Sequence, residues 1–329
     1  MRKTILGVGL LFAAGAAMAE GTPELTVMTY DSFVSDWGPG PAIEAAFEES
    51  CGCDLKFVGA GDGAALLARV KLEGDRSEAD VVLGLDTNLT AEAAATGLFA
   101  PHGIAEPALD LPLAWDDATF LPYDWGYFAF VHNADMADVP ASLKALGASE
   151  AKIVIQDPRS STPGLGLLMW VKAAYGDEAA SVWEALADNV VTVTPGWSEA
   201  YGLFLEGEAD MVLSYTTSPA YHLIAEEDAS KSAASFSEGH YMQVEVAAKL
   251  AASDQQELAD QFLAFMLSDG FQSIIPTTNW MYPAALPAEG LPAGFETLIQ
   301  PDKALLLSAE DAQAARKPAL DEWLTALSQ

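Results

Sequence analysis

Four times along this chain a run of β-branched and aliphatic residues ends in a short turn rich in Gly, Ser, Thr or Pro and opens directly into a helical pattern. The runs at 55–58, 153–156, 190–194 and 211–215 lead into "GAGDG" (59–63), "DPRSSTP" (157–163), "PGWS" (195–198) and "TTSP" (216–219). Asp62, Thr162 and Ser198 can cap the helices that follow, because their side-chain oxygens accept from the first free N–H groups, and Pro163 and Pro219 suit a first helical turn. A strand that hands over at once to a helix must be covered by it, so the repeated unit predicts an α/β fold with largely parallel sheets. Further strand runs at 25–30, 81–85 and 128–132 fit the pattern, as do helical runs at 42–49, 64–72, 91–97, 165–175, 178–187, 199–206 and 220–226. The segments 255–271 and 309–327 read as amphipathic helix, with little strand in this later part.

In open α/β sheets, ligands bind outside the carboxyl ends of the strands, so the four turns belong on one rim. Helix N-termini there present unpaired N–H groups and about half a positive charge, a seat for phosphate. Aromatic residues share the rim. Tyr30 and Trp37 follow the first strand in "TVMTYDSFVSDWGPG", with Asp31 and Ser32 between them; Trp197, Tyr201, Tyr215 and Tyr221 sit around two helix starts; Trp280 stands in "IPTTNWMYP". An aromatic face attracts a cation by about 0.5–1 kcal/mol when exposed and about 2 when desolvated, so the rim suits a planar or cationic solute. Trp115, Trp170, Trp183 and Trp323 show no such convergence and read as core or surface.

Arg2 and Lys3, an apolar run at 4–17 and Ala17-Met18-Ala19 predict a signal peptide over residues 1–19 and a mature chain of about 310 residues, enough for two domains. A soluble protein of a bacterial periplasm is expected. With 51% apolar and 19% charged residues the chain is globular, and its net charge of −33 excludes nucleic acid and anionic membrane surfaces as partners. The acids are spread along the chain, as a solubility adaptation would also have them. The pair Cys51 and Cys53 forms either a local disulfide or idle thiols, and lacks the His neighbour a zinc site needs.

Signals for catalysis are weak. The run Gly59–Ala64 copies a dinucleotide fingerprint, but export argues against such a cofactor, and no Gly-x-Ser-x-Gly, His-Glu-x-x-His or Cys-x-x-Cys is present. His102, His132, His222 and His240 are scattered and read as structural. Neither catalysis, cofactor nor metal is expected.

The stretches "LTVMTYDSFVSDWGPGP", "GDGAALLARVKLEG", "ADVVLGLDTNL", "PYDWGYFAFVHN", "QDPRSSTPGLGLLMW", "GWSEAYGLFLEGEADMVLSYTTSPAYH", "FSEGHYMQVEVAA" and "IPTTNWMYP" resemble, in the same order, the periplasmic thiamine-binding proteins of bacterial ABC importers. The likeness runs from about Leu25 to the C-terminus and includes the Cys-x-Cys. It implies a two-lobed type II periplasmic binding protein fold with a hinge, one lobe at 20–126 and 240–329 and the other at 127–239, with "DWGYFAFVHN" and "GHYMQVEVA" as the crossing strands. It implies binding of thiamine, thiamine monophosphate and thiamine diphosphate, delivery to an ABC permease and its ATPase, and a monomer. Carried over to this sequence, Asp62, Gly63, Ser161 and Thr162 should hold the phosphate or hydroxyethyl end. Trp197 and Tyr215, Thr216, Thr217, Ser218 and Pro219 should line the same pocket, with Tyr221, Trp280, Tyr30 and Trp37 near the rings. The strong acidity and the Gly59–Gly61 run depart from the family pattern, which bears on the phosphate preference. Two alternatives are a thiaminase-like enzyme, which would need a cysteine in the cleft, and a polyamine or ferric-ion binding protein of the same fold.

Overall fold

The computed structural model describes residues 22–105 and 107–328. The expected signal peptide, residues 1–19, lies outside them. The strands are β1 (Glu24–Thr29), β2 (Asp54–Gly59), β3 (Val81–Asp86), β4 (Phe99–Ala100), β5 (Leu121–Asn133), β6 (Ile153–Gln156), β7 (Val190–Thr194), β8 (Met211–Tyr215), β9 (Lys231–Ala233), β10 (His240–Leu250), β11 (Tyr282–Pro283) and β12 (Ala304–Leu305). Strands and helices fall within a few residues of the runs read from the sequence, but 128–132 proves to be the second half of the 13-residue β5.

The main sheet path runs β2-β1-β3-β10-β5-β8-β6-β7. β1 is parallel to β2 and β3, and β6 is parallel to β7 and β8. Between these flanks β10 and β5 run antiparallel to each other and to β3 and β8. The expectation of a largely parallel sheet therefore holds in the flanks and fails in the middle. β5 changes partner along its length: 121–127 pair with β10 and 128–132 with β8. The two stretches expected to cross between halves are thus ladder partners. This arrangement sets the carboxyl ends of both parallel flanks around a common centre.

All eleven residues of β10 are buried, so the strand shows none of the alternation that marks a half-exposed one. On the first flank, Leu25, Val27, Phe33, Ile43, Phe47, Phe262 and Phe271 fill the space between the sheet and the helices Gly40–Cys51 and Gln256–Phe265. On the second, Trp170 and Trp183 are fully buried beside Leu167, Val182 and Leu213, and Trp323 of the helix Ala309–Leu327 packs on them. Each such aliphatic or aromatic side chain contributes about 1.5–3 kcal/mol by burial. The helix Thr162–Tyr175 approaches β5 closely because residue 166 is glycine: a Cβ there would stand 2.0 Å from the Phe128 ring.

The single helix expected over 255–271 is broken. It ends at Phe265, and a new turn, Asp269–Gln272, starts after Ser268, whose hydroxyl donates back to the Phe265 carbonyl at 2.6 Å. Cys51 and Cys53 form a disulfide where the first helix turns out through left-handed Gly52. Among the described residues no helix is long and apolar enough to cross a membrane.

Candidate functional site

The turns that follow β1, β2, β6, β7 and β8 meet around a cavity of about 500 Å³. Tyr30, Trp37, Asp62, Thr162, Trp197, Tyr215, Ser218, Tyr221 and Trp280 all line it. Gly63, Ser161, Thr216, Thr217 and Pro219 do not. Thr216 and Thr217 are buried beneath the wall, with the Thr217 hydroxyl 3.6 Å from the Met281 sulfur. Ser161 and Gly63 stand behind Asp62 and Thr162 as hydrogen-bond partners.

Rings form two walls. Trp197 stacks on Tyr201, with centroids 5.0 Å apart and planes at 27°, and Trp37 leans over Trp197 at 6.2 Å. Trp37 is 55% exposed, which puts it at the mouth. On the other side Trp280 meets Tyr221 edge to face at 5.5 Å. Trp280 has φ +57°, a left-handed conformation that a bulky residue adopts only when its surroundings impose it. Behind the rings, Tyr201 Oη lies 3.0 Å from His222 Nε2, His222 Nδ1 lies 2.7 Å from Glu226, and the Tyr221 hydroxyl donates to Glu226 at 2.9 Å. His222 thus anchors both ring walls from behind, in keeping with a structural histidine.

The polar edge differs from the expected caps in a consistent way. The helix Thr162–Tyr175 is preceded by Ser161 as N-cap, not Thr162, and Trp197–Leu205 by Gly196, not Ser198. Asp62 occupies the cap position of Gly63–Glu73 but makes no side-chain capping bond. Its Oδ2 instead accepts from the Ser161 hydroxyl at 2.8 Å and from the Trp197 N–H at 3.0 Å. In return the Gly63 N–H donates to Thr162 Oγ1 at 3.0 Å. The carboxylate thereby seats itself at the start of a helix on the far flank. Asp62 lines the cavity but is surrounded by protein on most sides, and burial pushes its carboxyl up to about 6. Ser218 is likewise engaged, its hydroxyl 2.7 Å from Ser214 Oγ, which accepts from the Trp197 ring N–H at 2.8 Å.

The floor carries residues the sequence reading passed over. Glu245 of β10 lines the cavity, and its Oε2 accepts from the hydroxyls of Tyr123 at 2.6 Å and Tyr30 at 3.1 Å. Asn279 donates to Asp124 at 2.6 Å and to the Tyr30 hydroxyl at 2.9 Å. Burial pushes Glu245 up to about 7. Asp124 rises well above the carboxylate range through burial and then the charge of Glu245. Burial first and Glu245 second hold Tyr30, Tyr123 and Tyr215 protonated. A lone acid inside an apolar strand such as "HYMQVEVAAKL" was the available signal, since a buried charge needs a reason. Tyr201, Ser32 and Met281 also line the cavity.

Three potential metal-ligand side chains, His222, Glu226 and Asp228, approach one another among the described residues. Each already has protein partners, Asp228 taking the N–H and hydroxyl of Ser230 at 2.8 and 2.6 Å. Such a site needs no ion to be satisfied.

A ring-walled cavity between two parallel flanks, with polar groups at both ends, is a receptacle for a small solute. The profile of the bacterial extracellular solute-binding proteins matches residues 31–273. The chain belongs to that family. Among relatives of this solute-binding protein, the "Thiamine-binding periplasmic protein" of Salmonella typhimurium is 54% identical over 97% of this chain and 98% of the relative. The protein of the same name from Escherichia coli is 54% identical over 93% and 94%. A solved structure named "Periplasmic thiamin binding protein" superposes with a TM-score of 0.91 at 54% identity, covering 94% of this chain and 97% of that one. Iron-bound HitA from Pseudomonas aeruginosa, at 23% identity and a TM-score of 0.74 over 92% and 99%, shares the solute-binding fold.

Proposed function

We propose that this chain is the periplasmic solute-binding component of an ABC importer and that its cargo is thiamine, free or as the mono- or diphosphate. The observation that carries the reading is the pairing of two ring walls, Trp37–Trp197–Tyr201 and Tyr221–Trp280, across one cavity in a chain whose full-length relatives bear a thiamine-binding name. A thiazolium ring is flat and positively charged, and ring faces hold such a group by cation–π attraction and by burying its apolar surface. The hydroxyethyl or phosphate end would face the Asp62, Thr162 and Trp197 edge. We read retention without chemistry, supported against a thiaminase-like alternative by the two cysteines, which are tied to each other away from the lining.

Delivery requires that the protein open and close. We place the lobes at 20–126 with 240–329 and at 127–239, because β5 changes partner between residues 127 and 128 and, among the described residues, β5 and β10 carry the sheet from one flank to the other; the C-terminal helix Ala309–Leu327 then reaches back from the first lobe to pack on the helices Thr162–Tyr175 and Ala179–Leu186 of the second. A monomer docking on a membrane permease, powered by its ATPase, completes the cycle. Nanomolar retention needs about 12 kcal/mol, which a few desolvated ring contacts reach only together with apolar burial on closure.

The test is a titration of tryptophan fluorescence with thiamine and both phosphates, with spermidine and ferric citrate as controls. Saturable quenching by thiamine at submicromolar concentration, without release of a free pyrimidine product, is expected. Binding of spermidine or iron in its place, or turnover of thiamine, overturns the reading.

A further inference from the structure

Glu245 and Asp124 face each other across the β10–β5 ladder, and Asp86 of β3 faces Glu245 from the other side. Three carboxyl groups therefore stand abreast on three adjacent strands, each fully or nearly fully buried. Like charges directly opposite in a sheet repel, and a buried carboxylate without a cation is expensive. The groups facing Glu245 are Tyr30 beyond β1, Asp86 on β3, Tyr123 and Asp124 on β5, and Tyr215 on β8; the Asn279 amide lies against Tyr30 and Asp124. None of these is basic. Arg316 lies near Asp86, but its guanidinium is bonded to Glu92. Both tyrosine hydroxyls serve the same Glu245 oxygen, and Asp124 Oδ1 is buried with no hydrogen-bond partner. Of this pair only Glu245 reaches the cavity.

We propose that the Asp124–Glu245 pair is the counter-charge for the cationic solute, and that seating the cation expels a proton which the free pair holds between its two carboxyls. The inference rests on the thiamine reading and adds to it a charge-recognition site and a proton linkage. Without ligand, a shared proton relieves the repulsion between the facing acids. An arriving thiazolium supplies the positive charge instead, the pair gives up its shared proton and becomes the dianion, and that proton passes to the buffer. Burial holds Glu245 protonated into the neutral range, which places the exchange near physiological pH. Because protons and cation compete for one site, affinity should rise with pH through neutrality, by up to tenfold per pH unit if a whole proton is released.

The experiment is calorimetric titration of the intact mature protein with thiamine at pH 7, in buffers of different ionisation enthalpy, beside an uncharged analogue in which carbon replaces the thiazolium nitrogen. The wild type should release a measurable fraction of a proton on binding thiamine and none on binding the analogue. Glu245→Gln should lose that release and bind thiamine at least tenfold more weakly, so that its preference for thiamine over the analogue falls well below that of the wild type. Thiamine binding without proton exchange between pH 6 and 8, equal release with the uncharged analogue, or wild-type affinity in Glu245→Gln overturns the proposal and leaves the thiamine reading standing. The analogue comparison needs only wild-type protein, so a variant that fails to fold does not protect the idea. If neither compound gives a binding heat, both readings fall together.

Discussion

The Asp62 carboxylate and the Ser161 hydroxyl are 99 residues apart in sequence and 2.8 Å apart in space. With the Trp197 N–H on the same oxygen, Asp62 draws together the two rims that a phosphate would have to bridge, and its own charge occupies the seat. A phosphorylated solute must displace this carboxylate or accept its repulsion, which at about 4 Å and an effective dielectric of about 20 amounts to as much as 4 kcal/mol. Asp62→Asn keeps an acceptor for both donors and removes the charge. The variant should bind thiamine monophosphate several-fold more tightly relative to thiamine than the wild type does, measured by competition titration. An unchanged ratio would remove Asp62 from any role in discriminating phosphate.

Gly63 controls how closely the same rims meet. A Cβ at this position would stand 2.5 Å from the Thr162 hydroxyl and 2.8 Å from the Gly84 carbonyl, too close for either to remain. Gly63→Ala should lose the hydrogen bond to Thr162, weaken ligand binding at least tenfold, and leave the saturated protein with a larger radius of gyration in solution scattering than the wild type. Equal affinity and equal size would mean that the contact between Gly63 and Thr162 is incidental to closure.

These two residues also show what a sequence can disclose. Asp62 and Thr162 were legible as site residues because each sits in a turn between a strand and a helix, where α/β sheets place ligands. Their partners were not. Local pattern assigned both oxygens to capping, whereas the fold turns them toward a neighbouring flank: Asp62 keeps the cap position without a capping bond, and the position expected of Thr162 passes to Ser161. Glu245 was hidden for a different reason. β10 lies between two strands and under helices, so its period-two signal vanishes, and an acid in its middle gives no local hint of the tyrosines and the aspartate that surround it. The break at Ser268 was visible as a Ser-Asp-Gly capping signal inside a helical run, and the amphipathic pattern on either side masked it.

Trp280 is held where an L-residue is strained. Its φ of +57° costs on the order of 1 kcal/mol for any side chain with a Cβ and little for glycine. Trp280→Ala and Trp280→Gly both delete the ring that faces Tyr221, so each should weaken thiamine binding at least tenfold, about 1.4 kcal/mol, as should Trp197→Ala. Urea denaturation should nonetheless find the glycine variant about 1 kcal/mol more stable than the alanine variant, the reverse of the usual order. Alanine proving the more stable would mean that the strain is not present in solution.

The buried carboxyls make stability depend on pH in an unusual direction. Burial raises Asp86 to about 6 and Glu245 to about 7, and holds Asp124 well above its ordinary range. Their folded-state values thus exceed those of the unfolded chain, near 4, so the native state binds more protons between about pH 4 and 7 and loses stability as pH rises through that window. Glu73 acts oppositely: the hydrogen bond from Arg69 lowers it, and its contribution disappears on acidification below about 4. The ligand-free protein should therefore melt a few degrees higher at pH 5.5 than at pH 8. Glu245→Gln, which cannot ionise, should flatten this slope, lying near the wild type at pH 5.5 and above it at pH 8. A wild-type melting temperature that climbs steadily from pH 5.5 to 8 would show that these acids are ionised and compensated by groups other than those that face them here.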